Sequence, residues 1–144
     1  MQTMTKSVLV AATVSLLHCV AARADTPVGL WDAGESHIEI YRCGELLCGR
    51  IAALDEPLDA EGQPQIDDKN PDPALEGRPI LGMDLIANFS RKSDRRWVDG
   101  TIYDPRDGKT YKCKMTLQED GTLEVRGYVG LSLFGKTVVW TRIE

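Results

Sequence analysis

The chain has 144 residues, of which 42 % are hydrophobic and 27 % charged, with a formal net charge of −5. That length supports one domain around one core and no second domain. The acidic balance works against nucleic-acid backbones and anionic membrane surfaces as partners, because both repel it.

The first 24 residues read as an export signal. Lys6 precedes an apolar run from Val8 to Val20, and Ala22-Arg23-Ala24 places small residues where a signal peptidase reads them. The run is too short for a spanning helix, which needs roughly 20 apolar residues, and Thr13, Ser15 and His18 interrupt it. A lipoprotein signal fits poorly, since bulky His18 precedes Cys19. Cleavage after Ala24 predicts a single domain over residues 25–144, periplasmic or secreted and not embedded in a membrane. That product carries 15 basic and 22 acidic residues, a net charge near −7. Export permits disulfides and removes ATP, nicotinamide cofactors and nucleic acid from the expected partners.

From there period-2 alternation dominates, and helical periodicity is nearly absent. It predicts strands over 28–33, 36–43, 47–54, 81–88, 95–103, 109–117, 122–129 and 136–142. Tight turns such as Asp104-Pro105-Arg106-Asp107-Gly108 and Glu119-Asp120-Gly121 supply glycine where a positive φ is wanted. Eight strands joined mostly by such turns predict an all-β, antiparallel up-and-down barrel, because closure removes the edges of so large a sheet.

Cys43 and Cys48 flank a short hairpin and are expected to form a disulfide. Cys113 then stands alone on the apolar face of its strand, as a buried and inert thiol. His37 is the one histidine after the signal and reads as an exposed strand residue, too little for a zinc site. The basic run Arg91, Lys92, Arg95 and Arg96 reads as a solvated turn.

The connection 55–80 breaks the regular spacing, with five of the seven prolines, at 57, 64, 71, 73 and 79. It cannot be a central strand. Asp72-Pro73-Ala74-Leu75-Glu76-Gly77 predicts one helical turn, with Asp72 as its cap and Gly77 as its stop. Long loops in compact domains are usually functional or disordered. Leu75, Ile80 and Leu81 offer apolar anchors, so an ordered flap over one barrel mouth is expected.

Several blocks then resemble a bacterial secreted family, domain of unknown function 2147. They run from Ile38-Glu39-Ile40 through Cys43-Gly44 and Leu47-Cys48-Gly49-Arg50-Ile51 to Asn70-Pro71-Asp72-Pro73 and Arg78-Pro79. Gly100-x-Ile102-Tyr103-Asp104-Pro105, Gly108-Lys109-x-Tyr111, Val125-Arg126-Gly127-Tyr128, Leu133-Phe134-Gly135 and Trp140-Thr141-Arg142 continue the pattern. The resemblance implies a lipocalin-like barrel and brings no catalytic residues with it. Gly29-Leu30-Trp31 and Arg142 are similar to the pair with which lipocalins close one barrel end, the guanidinium packing over the indole.

Four chemistries compete on this frame. Asp99, Asp104 and Asp107 suggest paired carboxylates, but two of them sit where turns favour Asp anyway. Asp68-x-Asn70-x-Asp72 suggests calcium, but prolines 73 and 79 replace the Gly and Glu that a calcium loop requires. No cofactor, metal or catalytic residue is therefore expected. An eight-stranded barrel is just wide enough to fill itself or to hold one small ligand. The expected function is non-catalytic binding of a small apolar or amphipathic molecule, with Trp97, Tyr103, Tyr111 and Met115 lining the cavity. Gly100 and Gly127, at strand centres, leave either room or a tight bend. Whether Val98, Gly100 and Ile102 or Trp97, Thr101 and Tyr103 face inward stays open. The alternative is an envelope-protein interaction or inhibitor module with a filled barrel, acting through the proline-rich loop and the apolar Leu131-Ser132-Leu133-Phe134 turn.

Overall fold

The structure is a computed structural model describing residues 25–143. The expected export signal lies outside the described residues. Eight strands form one closed antiparallel barrel in sequential order. They are β1 (Gly29–Asp32), β2 (Ser36–Cys43), β3 (Leu46–Leu54), β4 (Asp84–Ser93), β5 (Arg96–Asp104), β6 (Lys109–Leu117), β7 (Leu123–Tyr128) and β8 (Gly135–Ile143). β8 pairs back onto β1, with Arg142 opposite Trp31. Seven strands fall within about two residues of their sequence positions; β4 begins three residues later than expected and runs to Ser93. Leu81 and Gly82 belong instead to the turn that enters it.

Two bulges settle which side chains point inward. Asn88 in β4 and Asp99 in β5 both take a positive φ, of 64° and 61°. The β3–β4 and β5–β6 registers each shift at these points. Such a bulge inserts one extra residue and reverses the alternation beyond it. Trp97 pairs with Met115 below the β5 bulge, while Gly100 pairs with Cys113 and Ile102 with Tyr111 above it. Both expected faces of β5 therefore turn inward, each along part of the strand. Ile86 and Phe89, three residues apart, are buried together for the same reason.

The β2–β3 hairpin turns at Gly44 and Glu45 and is clasped by the Cys43–Cys48 disulfide, with Cα atoms 5.8 Å apart. Cys113 is fully buried. Burial, the dominant cause, pushes its thiol up to about 12, which removes it from thiolate chemistry.

The two ends of the barrel differ. At one end the incoming segment Thr26–Val28 crosses the opening and β1 and β8 hold it. Arg142 donates to the Thr26 carbonyl at 2.6 Å and the Val28 carbonyl at 2.9 Å, with its guanidinium carbon 4.3 Å from the Trp31 ring centroid. Trp31 donates to the Pro27 carbonyl at 2.7 Å, so its buried indole nitrogen is satisfied. Gly29 has a φ of 136°, and a Cβ there would lie 2.7 Å from an Arg142 nitrogen. Glycine alone suits both demands.

Candidate functional site

The closed end is filled. Trp31, Ile40, Leu47, Phe89, Trp97, Cys113, Met115, Leu117 and Leu123 pack there as one buried cluster. Gly100 belongs to this filling rather than to any open space, since a Cβ on it would overlap the ring of Phe89. A core so packed has no lumen at this level.

Above that level the barrel opens. A cavity of about 1280 Å³ enters from the end formed by the β1–β2, β5–β6 and β7–β8 turns and the start of the long loop. That exceeds the roughly 300–1,000 Å³ typical of ligand pockets, because its mouth is wide. Ile38, Ile51, Val125 and Trp140 form the floor and are themselves buried. Leu54, Ile80, Leu85, Ile102 and Val138 line the walls. Gly127 also lines it, and a Cβ there would meet only Ile102 and Tyr111, both at 3.7 Å. The two strand-centre glycines thus differ: Gly100 makes way for a ring and Gly127 leaves room.

The expected ligand set divides at this level. Tyr103 and Tyr111 border the cavity, whereas Trp97 and Met115 are buried below it in the packed half. The cause is depth, because Trp97 and Met115 face inward but sit nearer the closed end than Ile102 and Tyr111. The Tyr111 hydroxyl donates to Asp107, and this bond, more than desolvation, raises its pKa.

The rim is polar and mixed in charge. Arg106 donates twice to Asp104, at 2.8 and 2.9 Å, and lies 3.6 Å from Glu35. The hydrogen bond from Arg106 is the main cause holding the Asp104 carboxyl below its ordinary range. Asp55, Glu56 and Lys136 complete the charged lining. The carboxylates considered for acid–base work are engaged elsewhere: Asp107 takes Tyr111 and the Lys109 amide, and Asp99 accepts from Ser90 at 3.4 Å.

The loop 55–80 is tied to this rim by a residue that carries no sequence signal, Asp67. Its side chain is fully buried. One oxygen accepts from the Tyr103 hydroxyl at 2.6 Å, and the other from Asn70 at 2.8 Å and Arg78 at 3.2 Å. Burial is the largest single influence and would raise the Asp67 pKa, but the bonds from Asn70, Tyr103 and Arg78 together lower it. Tyr103 moves the other way, up to about 12, through desolvation and then its bond to Asp67. Of the expected apolar anchors only Ile80 packs on the core; Leu75 and Leu81 are exposed. The loop is fastened by a buried carboxylate, so two of its leucines need no partner inside.

Asp72 caps the predicted turn, its side chain accepting from the Ala74 amide at 2.9 Å, and Gly77 ends it with a φ of 79°. Asn70 and Asp72 spend their oxygens on local amides. No group of three or more metal-ligating side chains occurs among the described residues, and no described helix is long and apolar enough to cross a membrane.

Comparison with known proteins places this architecture. A solved structure of protein HP1028 from Helicobacter pylori, described as belonging to the lipocalin family, superposes with a TM-score of 0.71. It is 23 % identical and the match covers 81 % of this chain and 82 % of that one, which identifies a lipocalin-like fold. No curated protein matches the sequence. Residues 29–142 match the family described as "Uncharacterized protein conserved in bacteria (DUF2147)", and the chain belongs to that family.

Proposed function

We propose that this protein is an exported, non-catalytic binding protein that holds a small apolar or amphipathic molecule in the mouth half of its barrel. The observation that carries the reading is the cavity of about 1280 Å³, with an apolar floor of Ile38, Ile51, Val125 and Trp140 beneath a charged rim. An apolar pocket with a few polar groups at one edge suits a ligand with an apolar body and a polar end. Tyr103 and Tyr111 stand at that boundary, and their rings can contact the body while their hydroxyls remain bonded to Asp67 and Asp107. The Cys43–Cys48 disulfide supports export into an oxidising compartment.

Native mass spectrometry tests the reading on protein purified gently from its own periplasm. The expected result is an excess mass that persists through buffer exchange and is lost on denaturation. Bare protein, with tryptophan fluorescence unmoved by organic extracts of the same cells, overturns it. A second reading, an envelope-protein module acting through its loops, draws on the exposed Leu131, Leu133 and Phe134. It predicts a crosslinked protein partner and no bound small molecule.

A further inference from the structure

We infer that the β7–β8 turn is a docking tip that sets the cavity mouth against an anionic phospholipid surface. The inference relies on the proposed function for its cargo; the docking itself stands on the chemistry of the turn. Val129, Leu131, Leu133 and Phe134 expose 68, 71, 78 and 72 % of their surface. Turns at an aqueous rim are ordinarily built from Gly, Asn, Asp, Ser and Pro. Four large apolar side chains within six residues form a patch that water does not favour.

The turn is not free to fold them inward. Arg126 reaches from β7 and donates to the Ser132 carbonyl at 2.8 Å and the Leu133 carbonyl at 3.2 Å. From β6, Lys114 donates to the Ser132 hydroxyl at 3.2 Å. The Phe134 amide closes the turn on the Leu131 carbonyl at 3.0 Å. A polar clamp thus holds the backbone from one side and leaves the apolar groups outward.

The same clamp supplies charge. Lys112, Lys114, Arg126 and Lys136 make no ion pair within 4 Å among the described residues. Asp104 feels Lys136, but its ion pair is with Arg106 at 2.8 Å. The acidic charge of the whole chain argues against an anionic surface, yet charges more than about 8 Å away are largely screened at physiological salt. What meets a bilayer first is the β7–β8 tip, apolar and flanked by these cations. The carboxylates of the mouth, Glu35, Asp55, Glu56 and Asp104, belong to the β1–β2, β3 and β5 ends of the rim, where Arg106 pairs with Glu35 and Asp104. Shallow insertion of such a tip places apolar groups at the acyl boundary and cations at the phosphates. A bilayer also explains the position of the tip, because Leu133 and Phe134 line the cavity mouth as well. An apolar molecule leaving the membrane would follow apolar surface into the barrel.

Co-sedimentation with vesicles tests this on protein purified from its own periplasm. We expect binding to phosphatidylethanolamine–phosphatidylglycerol vesicles, and much weaker binding to phosphatidylcholine alone. Leu131 and Lys112 do not line the cavity, so Leu131→Glu and Lys112→Glu separate docking from ligand holding. Leu131→Glu should lower partitioning about tenfold and Lys112→Glu several-fold, each retaining the bound mass in native spectra. Gly127→Phe should behave oppositely, keeping the vesicles and losing the mass. Failure of the unaltered protein to bind anionic vesicles, or undiminished binding by Leu131→Glu, overturns the inference, as does crosslinking of the turn to an envelope protein. Vesicle binding with no ligand mass would instead overturn the proposed function and leave the docking intact.

Discussion

The two phenylalanines of the chain lie in opposite halves of the barrel and in opposite environments. Phe89 is 0 % exposed, lying across Gly100 in the packed half, while Phe134 is 72 % exposed on the lip of the open half. The tryptophans show the same gradient. Trp31 and Trp97 fill the closed end, and Trp140 stops at the cavity floor. The rings of Trp31, Phe89 and Trp97 shut the closed end, whereas those of Tyr103, Tyr111 and Phe134 stand around the border and lip of the open half. On β7, Val125 and Gly127 succeed Leu123 toward the mouth, so the interior widens through residue choice within one strand. One half supplies stability, and the other is built to leave space.

That division predicts where substitutions cost stability. Phe89→Ala should lose about 3–5 kcal/mol in urea unfolding, because it empties a close-packed site. Met115→Ala should follow at about 2–4 kcal/mol, although sequence alignment of faces along β6 sets it beside Tyr111. Tyr111→Ala should reduce ligand retention and cost far less stability. If Met115→Ala and Tyr111→Ala affect stability equally, the boundary between the halves is misplaced.

The end closure gives the next effect. Arg142→Ala removes two charge-assisted hydrogen bonds and the contact over Trp31. A loss of about 2 kcal/mol is expected, with ligand specificity unchanged because the cavity opens at the other end. Calorimetry and native spectra on the same variant check both statements.

The strand frame was more legible in the sequence than the depth of the side chains within it, as the buried positions of Trp97 and Met115 show. Period-2 alternation and turn chemistry located eight strands, and the spacing of Cys43 and Cys48 indicated the clasp. The bulges at Asn88 and Asp99 were hidden, because neither is a glycine and each adopts positive φ only under the demands of closure. Their consequence was the ambiguous inward face of β5. Asp67 was hidden for another reason. In an acidic, proline-rich loop one carboxylate looks like the next, and its burial depends on Tyr103, 36 residues away.

The Asp67 latch sharpens the comparison through pH. Its folded-state pKa lies below the ordinary value of 3.8. Below both values the folded and unfolded states bind the proton equally, so the contribution to stability is fully present above 3.8 and lost as pH falls through the lower, folded value. Loop amide shifts followed by NMR should therefore hold steady through mild acid and move below that range, while the packed half stays unchanged. Tyr103→Phe removes one bond to a buried carboxylate and should destabilise the loop by about 1.5–3 kcal/mol. Movement of the loop resonances already at mildly acidic pH would contradict the latch.

The smallest effect on stability should come from Gly127→Phe, and it tests the division most directly. A side chain at position 100 must displace Phe89, whereas one at 127 enters open space beyond ordinary contacts at 3.7 Å. Overpacking a filled core costs about 1–3 kcal/mol. The same kind of enlargement in a cavity gains apolar burial and avoids that strain, and residue 127 has no positive φ to oppose it. Unfolding stability should thus change by less than about 1 kcal/mol, while bound ligand is lost because the ring occupies its place. Equal destabilisation by Gly100→Ala and Gly127→Phe would mean that the mouth half is packed like the closed half, and the distinction on which a binding function rests would fail.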